Sequence, residues 1–313
     1  MLLSTQSTLD ISTPPSVLRT PLRIAIQGVQ GAFHEIAARS FHLSEDIEVV
    51  PSDTFDILIQ NVETGEADAA VMAIENTIAG SILRNYNLLN NSHLRIRGEV
   101  FLRIKQNLMA LPGVKIEDLK EVHSHPVALQ QCEEFFSNYP HIKLVEAHDT
   151  ALVAKEIRAK KLKKIGAIGS ELAAEIYKMN ILAPEIETYK KNFTRFLYIA
   201  RENTCLPDRQ AEGVHGATTS ELNGEDFNKI SLVFHTNHTV GSLHKALDVF
   251  AKNNCNLTKI QSAPIMDKPW EYMFFVDFAL NNYSDYPKAM VELHRVAGNV
   301  KVLGEYKSGE YFE

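Results

Sequence analysis

An α/β fold followed by a small ferredoxin-like module is what this sequence predicts, and three observations carry that expectation. Between Leu22 and Arg201 short apolar runs alternate with stretches of helical spacing, the rhythm of strand–turn–helix layers with largely parallel sheets. Residues 202–228 break that rhythm with polar, glycine-bearing text that has no period. Residues 229–307 then carry strand, helix, strand, strand, helix and strand in that order, the ferredoxin-like arrangement.

Taken in order, the elements follow from their side chains. The first 21 residues are rich in Ser, Thr and Pro and contain Asp10. They lack the basic start and apolar stretch of a secretory signal, so a disordered lead-in is expected there. "LRIAIQG" reads as a strand and "AFHEIAARSF" as a helix; "ADAAVMAIE" is strand-like, with helical text from Gly80 onward. "LKEVHS" leads into the helix of "PVALQQCEEFFSNY", and "KKIGAIG" into "SELAAEIYKM". Phe196–Ala200, "FLYIA", is an apolar run with no turn residue inside it, the pattern of a buried strand. Segment 202–228 is too long and featureless for a connection within a compact unit and reads as a linker. In the module beyond it, "KISLVFHT", "NLTKIQSAP", "WEYMFFVDFAL" and "VKVLGEY" are strands, and "GSLHKALDVFAKNN" and "YPKAMVELHRVAG" are amphipathic helices.

Composition narrows the function classes. The chain has 313 residues, 45% hydrophobic and 23% charged, which is ordinary for a globular protein of about two domains. A formal net charge of −7 with no dominating Lys/Arg run argues against nucleic acid as a partner, and "AKKLKK" at 159–164 reads as a solvated face. No stretch approaches the roughly 20 apolar residues of a membrane-spanning helix. Cys132, Cys205 and Cys255 are few, odd in number and show no metal spacing, which fits a reducing, cytoplasmic setting.

The positions where chemistry can sit are the strand-to-helix junctions. Gly28 and Gly31 follow the first strand in "QGVQGAF"; "IENTIAGS" follows the second; "HSHPVAL" places Pro126 at a helix start; "AIGSELA" offers Ser170 as an N-cap. Each junction either simply caps its helix or turns free N–H groups toward an anion at the crevice-facing ends of the strands. Glu75 in turn either caps the next helix or lines that crevice. In "KKNFTRFLYIAR" the hydroxyl of Thr194 and the charge of Arg195 stand directly before the buried strand. An unpaired buried guanidinium is costly, so Arg195 requires an anionic partner or a solvated cleft.

Several sharper readings fail. "QGVQGAF" lacks the third glycine and the downstream acid of a dinucleotide fingerprint, and "HEIAA" has Ala38 where a zinc protease has its second His. His123 and His125 have no partner at ligand spacing, and no GxSxG or P-loop occurs. The residues alone describe a crevice prepared for an anion, with a hydroxyl beside an arginine and no metal or cofactor signature.

The motifs "IENTIAGS", "HSHPVALQQC", "AIGSELAAEIY" and above all "NFTRFL" resemble those of the prephenate dehydratase family, over about residues 22–307. "QGVQGAFHEIAA" matches more loosely, with His34 where the family usually has Ser. Residues 229–307 resemble an ACT domain, the ferredoxin-like unit that binds amino acids. The resemblance implies a catalytic domain over 22–201 of the two-lobed, type II solute-binding-protein kind, with lobe one at about 22–97 plus a returning strand near 195–201, and lobe two at about 98–183. It implies removal of water and carbon dioxide from prephenate to give phenylpyruvate, without cofactor or metal. It makes Thr194 the catalytic residue. Substrate is then held by Gly31, Ala32 and Phe33, by Glu75, Asn76 and Thr77, by Ser124, His125 and Ser170, and by Arg195 and Phe196.

Phenylalanine is the allosteric ligand the resemblance implies, held by Gly241, Ser242 and Leu243 with Gln261, Ser262 and Pro264, in a homo-oligomer of ACT modules paired edge to edge. Two departures bear on that sensing: "QSAP" stands where the family commonly has ESRP, and "GSLH" where it has GALV. About twenty residues precede the catalytic region, too few for a fused chorismate mutase, so a monofunctional enzyme is expected. Arogenate dehydratase, which shares the fold and motifs, is the alternative enzyme. A two-lobed ligand sensor without chemistry is the alternative of another class.

Overall fold

In the computed structural model of the chain the described residues are 21–42, 46–202, 204, 227–266 and 268–312. The expected lead-in over 1–21 and linker over 202–228 fall almost wholly outside them. The first elements are β1 (Leu22–Gln27), α1 (Phe33–Phe41), β2 (Ile47–Ser52), α2 (Phe55–Thr64), β3 (Ala69–Asn76), the short β4 (Gly80–Ser81) and α3 (Leu83–Asn91). There follow β5 (Leu94–Arg103), β6 (Asn107–Ala110), β7 (Glu121–Ser124), α4 (Pro126–Gln131), α5 (Glu133–Phe136) and β8 (Lys143–Glu146). Next come α6 (Thr150–Lys160), β9 (Ile165–Gly169), α7 (Glu171–Ile176), β10 (Asn180–Ala183) and β11 (Phe193–Arg201). The C-terminal part holds β12 (Lys229–His235), α8 (Ser242–Lys252), β13 (Cys255–Pro264), β14 (Tyr272–Leu280), α9 (Asp285–Val296), β15 (Gly298–Tyr306) and β16 (Tyr311–Phe312).

These elements form two sheets. A five-stranded sheet has the order β10-β6-β9-β7-β8. An eleven-stranded sheet runs β13-β14-β12-β15-β5-β11-β3-β1-β2, with β4 against β3 and β16 against β5. The C-terminal strand–helix–strand–strand–helix–strand order is as expected, but its sheet is continuous with the first one through β15 and β5. That seam needs glycine: a Cβ on Gly304 would stand 2.4 Å from the Ile96 carbonyl oxygen.

The expectation of largely parallel sheets is corrected. β1 lies parallel to β2 and β3, and β7 to β8 and β9, whereas β11 is antiparallel to both β3 and β5. The chain crosses to the five-stranded sheet after β5 and comes back as β11, inserted between β3 and β5. The whole of β5 therefore belongs to the first sheet, since β11 pairs with it from Phe193 opposite Arg103 to Arg201 opposite Leu94. The boundary expected near residue 98 moves past Arg103 for that reason.

Alternation along β11 distributes its side chains between two cores. Phe196, Tyr198 and Ala200 join a core that also contains Ile24, Ala37 and Ala173, the face shared with the five-stranded sheet. Leu197 and Ile199 join a second core with Met72, Tyr86, Phe275 and Tyr306, the face shared with the C-terminal strands. Register shifts between Arg195 and Phe196 against β3, leaving Arg195 opposite Glu75 and Phe196 opposite Ala73. No described helix is long and apolar enough to cross a membrane.

Candidate active site

Thr194 sits where β11 emerges from between β3 and β5, and it is buried to 8% exposure. Asn76, at the end of β3, donates from Nδ2 to Thr194 Oγ1 at 3.0 Å. The orientation of this amide is dictated by its other end, because Asn76 Oδ1 accepts from the backbone N–H of Ile78 and Ala79 at 2.9 and 2.8 Å. Those donors can be met only by an oxygen, so the NH₂ must face Thr194. With its oxygen already accepting a hydrogen bond, Thr194 keeps its own proton to donate.

Sequence reasoning missed the rest of this amide network. Asn76 Nδ2 also donates to Asn192 Oδ1 at 2.8 Å, and Asn192 Nδ2 to Gln131 Oε1 at 3.0 Å. Gln106 Nε2 reaches the same Gln131 oxygen at 3.4 Å. The network thus runs from the first sheet to α4 of the second. Its signal was present, since Asn192 opens "NFTRF" and Gln131 lies in "HPVALQQC". Thr77 closes the loop beside it: its Oγ1 accepts from Phe193 N–H at 3.0 Å and donates to the Lys191 carbonyl at 3.2 Å.

The first glycine loop is pressed against the second sheet's helices. Gly31 has φ +89°, and a Cβ there would lie 2.7 Å from Ala173 Cα. Its N–H donates to Glu35 Oε2 at 2.7 Å, and its carbonyl accepts from Ser170 Oγ at 2.5 Å. Ser170 is the expected N-cap of α7, accepting from Ala173 N–H at 3.0 Å. Tyr177 adds a bond from its hydroxyl to the Gln30 carbonyl at 2.7 Å. Ala32 precedes α1, whose first turn from Phe33 onward has no side-chain cap. Gly28, with φ +91°, faces Asp149, whose Oδ2 would be 2.3 Å from an added Cβ. Burial raises the Asp149 carboxyl, although Oδ1 accepts the Leu152 N–H at 2.6 Å.

Ser124 and His125 act locally. Ser124 is fully buried and donates to the Ile168 carbonyl at 2.9 Å, tying β7 to β9. His125 is exposed and accepts from Val127 N–H at 3.3 Å, capping α4, whose first residue is Pro126. Partial burial lowers the His125 imidazole, and His148 adds to that, against the opposing charge of Asp149.

Three expectations are corrected. Arg195 does not face the crevice: it is 5% exposed, on the opposite side of β11, bonded to Glu99, Asp277 and the Tyr306 hydroxyl. Burial opposes its charge, but Asp277, Tyr306 and Glu99 outweigh that and hold the guanidinium protonated. Glu75, on the same side, pairs with Lys259 of β13. Phe196 is on the Thr194 side but 1% exposed, its ring packed edge-on against His34 at 5.0 Å between centroids. It supports the site without presenting a surface. His34 is itself pressed by Phe55, and burial lowers its imidazole to about 3.

The C-terminal residues divide in two. A cleft of about 530 Å³ beside the start of α8 is lined by Gly241, Ser242 and Leu243, with Tyr272 and Phe274 of β14. Gly241 has φ +80° there, a turn that glycine takes without strain. Gln261, Ser262 and Pro264 lie on β13 and do not line that cleft. Their strand is the edge of the sheet, with β14 its one neighbour among the described residues.

The family model described as prephenate dehydratase matches residues 24–204. The chain is 41% identical over 304 residues to arogenate dehydratase 2 of Petunia hybrida, covering 92% of this chain and 72% of that protein. It is 33% identical over 290 residues to the bifunctional chorismate mutase/prephenate dehydratase of Escherichia coli, covering 91% and 71%. Its structure is similar to that of prephenate dehydratase from Arthrobacter aurescens in complex with L-Phe, at 27% identity and a TM-score of 0.77, covering 91% of this chain and 90% of that one.

Proposed function

The chain belongs to the prephenate dehydratase family, and from that premise we propose that Thr194 protonates the hydroxyl that leaves prephenate. The reaction breaks the bond between the ring and its carboxylate, releasing carbon dioxide. The freed electron pair moves through the ring, which becomes aromatic as the ring C–O bond breaks. The departing oxygen takes the Thr194 proton and leaves as water, and solvent returns one proton to the threonine. The product is phenylpyruvate. The observation that carries this reading is the Asn76 bond to Thr194 Oγ1, which occupies the oxygen and leaves the hydroxyl proton for an acceptor in the crevice.

A threonine is too weak an acid to protonate a leaving group unaided, so donation must be concerted with C–O cleavage in a site that excludes water. Burial of Thr194 and the neutral amides around it suit that requirement. With Arg195 turned away, the substrate carboxylates fall to backbone N–H groups at the uncapped start of α1. Purified protein given prephenate or arogenate, with the aromatic product followed, tests the assignment. Turnover of arogenate alone would transfer it to the amino substrate named for the Petunia relative. Turnover of neither would leave a binding protein.

The catalytic region on this reading is the two-lobed part over 22–201, closed by the Gly31–Ser170 contact, and residues 229–307 form an ACT domain. Phenylalanine is assigned to the cleft at Gly241, supported by the phenylalanine complex of the Arthrobacter relative. Two copies paired along β13 would bring Gln261–Pro264 of one toward the cleft of the other. Light scattering gives the assembly, and calorimetry with phenylalanine on wild type and Gly241→Val gives the site; binding should vanish in the variant. Burial pushes the thiols of Cys132 and Cys255 up to about 12 and about 11, consistent with inert thiols in a cytoplasmic enzyme.

A further inference from the structure

Behind the catalytic strand lies a charged cluster that the reaction does not use. Arg195 Nε donates to Glu99 Oε2 at 2.7 Å, Nη1 to Asp277 Oδ2 at 2.5 Å, and Nη2 to the Tyr306 hydroxyl at 3.0 Å. Lys229 Nζ donates to both Glu99 oxygens, at 2.7 and 3.0 Å. Ser231 Oγ donates to Asp277 Oδ1 at 2.5 Å and stands 2.6 Å from the Tyr306 hydroxyl. Two cations and two carboxylates balance, and all four are buried.

The cluster is divided between the two parts of the chain. Arg195 and Glu99 come from β11 and β5, whereas Lys229, Ser231, Asp277 and Tyr306 come from β12, β14 and β15. Apolar residues would join the same surfaces at least as firmly, so a buried ion cluster is a poor adhesive. What it supplies is geometry: charge-assisted bonds from a planar fork tolerate little displacement. The residue held in this way shares a peptide bond with Thr194. A shift of about 1 Å at a reacting group can cost about 10²-fold in rate.

We propose that Arg195 is a positioning residue for Thr194, and that the C-terminal module supplies the counter-charge, Asp277, that fixes it. Movement of the module's sheet is then felt at the Thr194 hydroxyl through one side chain. This rests on Thr194 as the proton donor and on the module as a phenylalanine sensor.

The test uses the full chain and four proteins: wild type, Asp277→Asn, Arg195→Lys and Tyr306→Phe. Steady-state kinetics with prephenate are run well below each melting temperature, beside phenylalanine calorimetry and inhibition curves. For Asp277→Asn, kcat should fall at least about tenfold with KM within about threefold, because positioning of the reacting group changes and substrate binding does not. Phenylalanine should still bind that variant, with Kd within about threefold, but no longer inhibit it. Arg195→Lys should lose kcat similarly, and Tyr306→Phe, which keeps every charge, about threefold. Wild-type kcat in folded Asp277→Asn or Arg195→Lys, whatever the melting temperature, would overturn the proposal by reducing the cluster to a structural joint. If Asp277→Asn fails to fold, Arg195→Lys decides; if both fail, Tyr306→Phe does. A wild type that turns over but ignores phenylalanine would refute the sensor reading, leaving the kcat comparison to decide the role of Arg195.

Discussion

The two sides of β11 at Thr194 and Arg195 are built from opposite materials. On the Thr194 side the polar groups are neutral: Asn76, Asn192 and Gln131 pass hydrogen bonds from the first sheet to α4. On the Arg195 side they are charged: Glu99, Lys229 and Asp277 enclose the guanidinium, with Tyr306 and Ser231 between them. Neutral amides can be buried at modest cost when each atom is paired, and they leave one hydroxyl proton free for chemistry. Charges can be buried only in balanced sets, so their donors and acceptors are saturated and none remains for substrate. On the proposed function, adjacent residues of one motif divide the work, the first reacting and the second holding.

The strongest way to break this comparison is at the reacting side. Thr194→Ala should lower turnover by about 10²–10⁴, the effect of losing a positioned proton donor, while thermal unfolding stays close to wild type. Thr194→Ser should retain more. An alanine variant with wild-type turnover would remove the distinction between the two sides.

Arg195→Leu adds a loss of stability that Thr194→Ala does not show. It strands two buried carboxylates with one remaining cation and should lower stability by about 3–5 kcal/mol, read from urea unfolding of the full chain. A loss within the error of the measurement would mean that the cluster is not closed to water.

A smaller effect separates the neutral network from its donor. Asn76→Ala removes the bond that orients Thr194 and leaves the hydroxyl free to turn, so kcat should fall about tenfold, in line with the worth of one buried hydrogen bond. Unchanged kcat would indicate that the strand alone orients the threonine.

The last effect is one of pH. The His34 imidazole is lowered by burial to about 3 in the fold, against 6.5 ordinarily. Between those values the unfolded chain binds a proton that the folded chain refuses, so stability falls as pH is taken from 7 toward 4. One such group contributes at most about 1.4 kcal/mol per pH unit. His34→Ser should flatten that slope in melting curves, and an unaltered slope would assign it to other groups.

Much of the architecture was determined by the sequence alone, because it rests on short-range physics. Period-two and helical spacing located β1, α1, β3, β9, β11 and the C-terminal six-element order, and residue chemistry located the helix start at Pro126 and the cap at Ser170. Thr194 and Asn76 were both expected at the site, but only as what the family resemblance implied; no spacing in the chain joined them. The partners of the charged residues were not legible. Alternation along β11 puts Thr194 and Arg195 on opposite faces, but nothing local says what covers each face. Asp277 is 82 positions from Arg195 and arrives only because β15 joins β5 and makes one sheet of two parts, whereas Glu99, 96 positions away, arrives because β11 inserts beside β5. An arginine beside a catalytic hydroxyl reads as a substrate ligand until an anion from elsewhere in the fold is found to have taken it. Tertiary structure decided that point, because a buried charge is satisfied by whatever the fold brings within hydrogen-bonding distance.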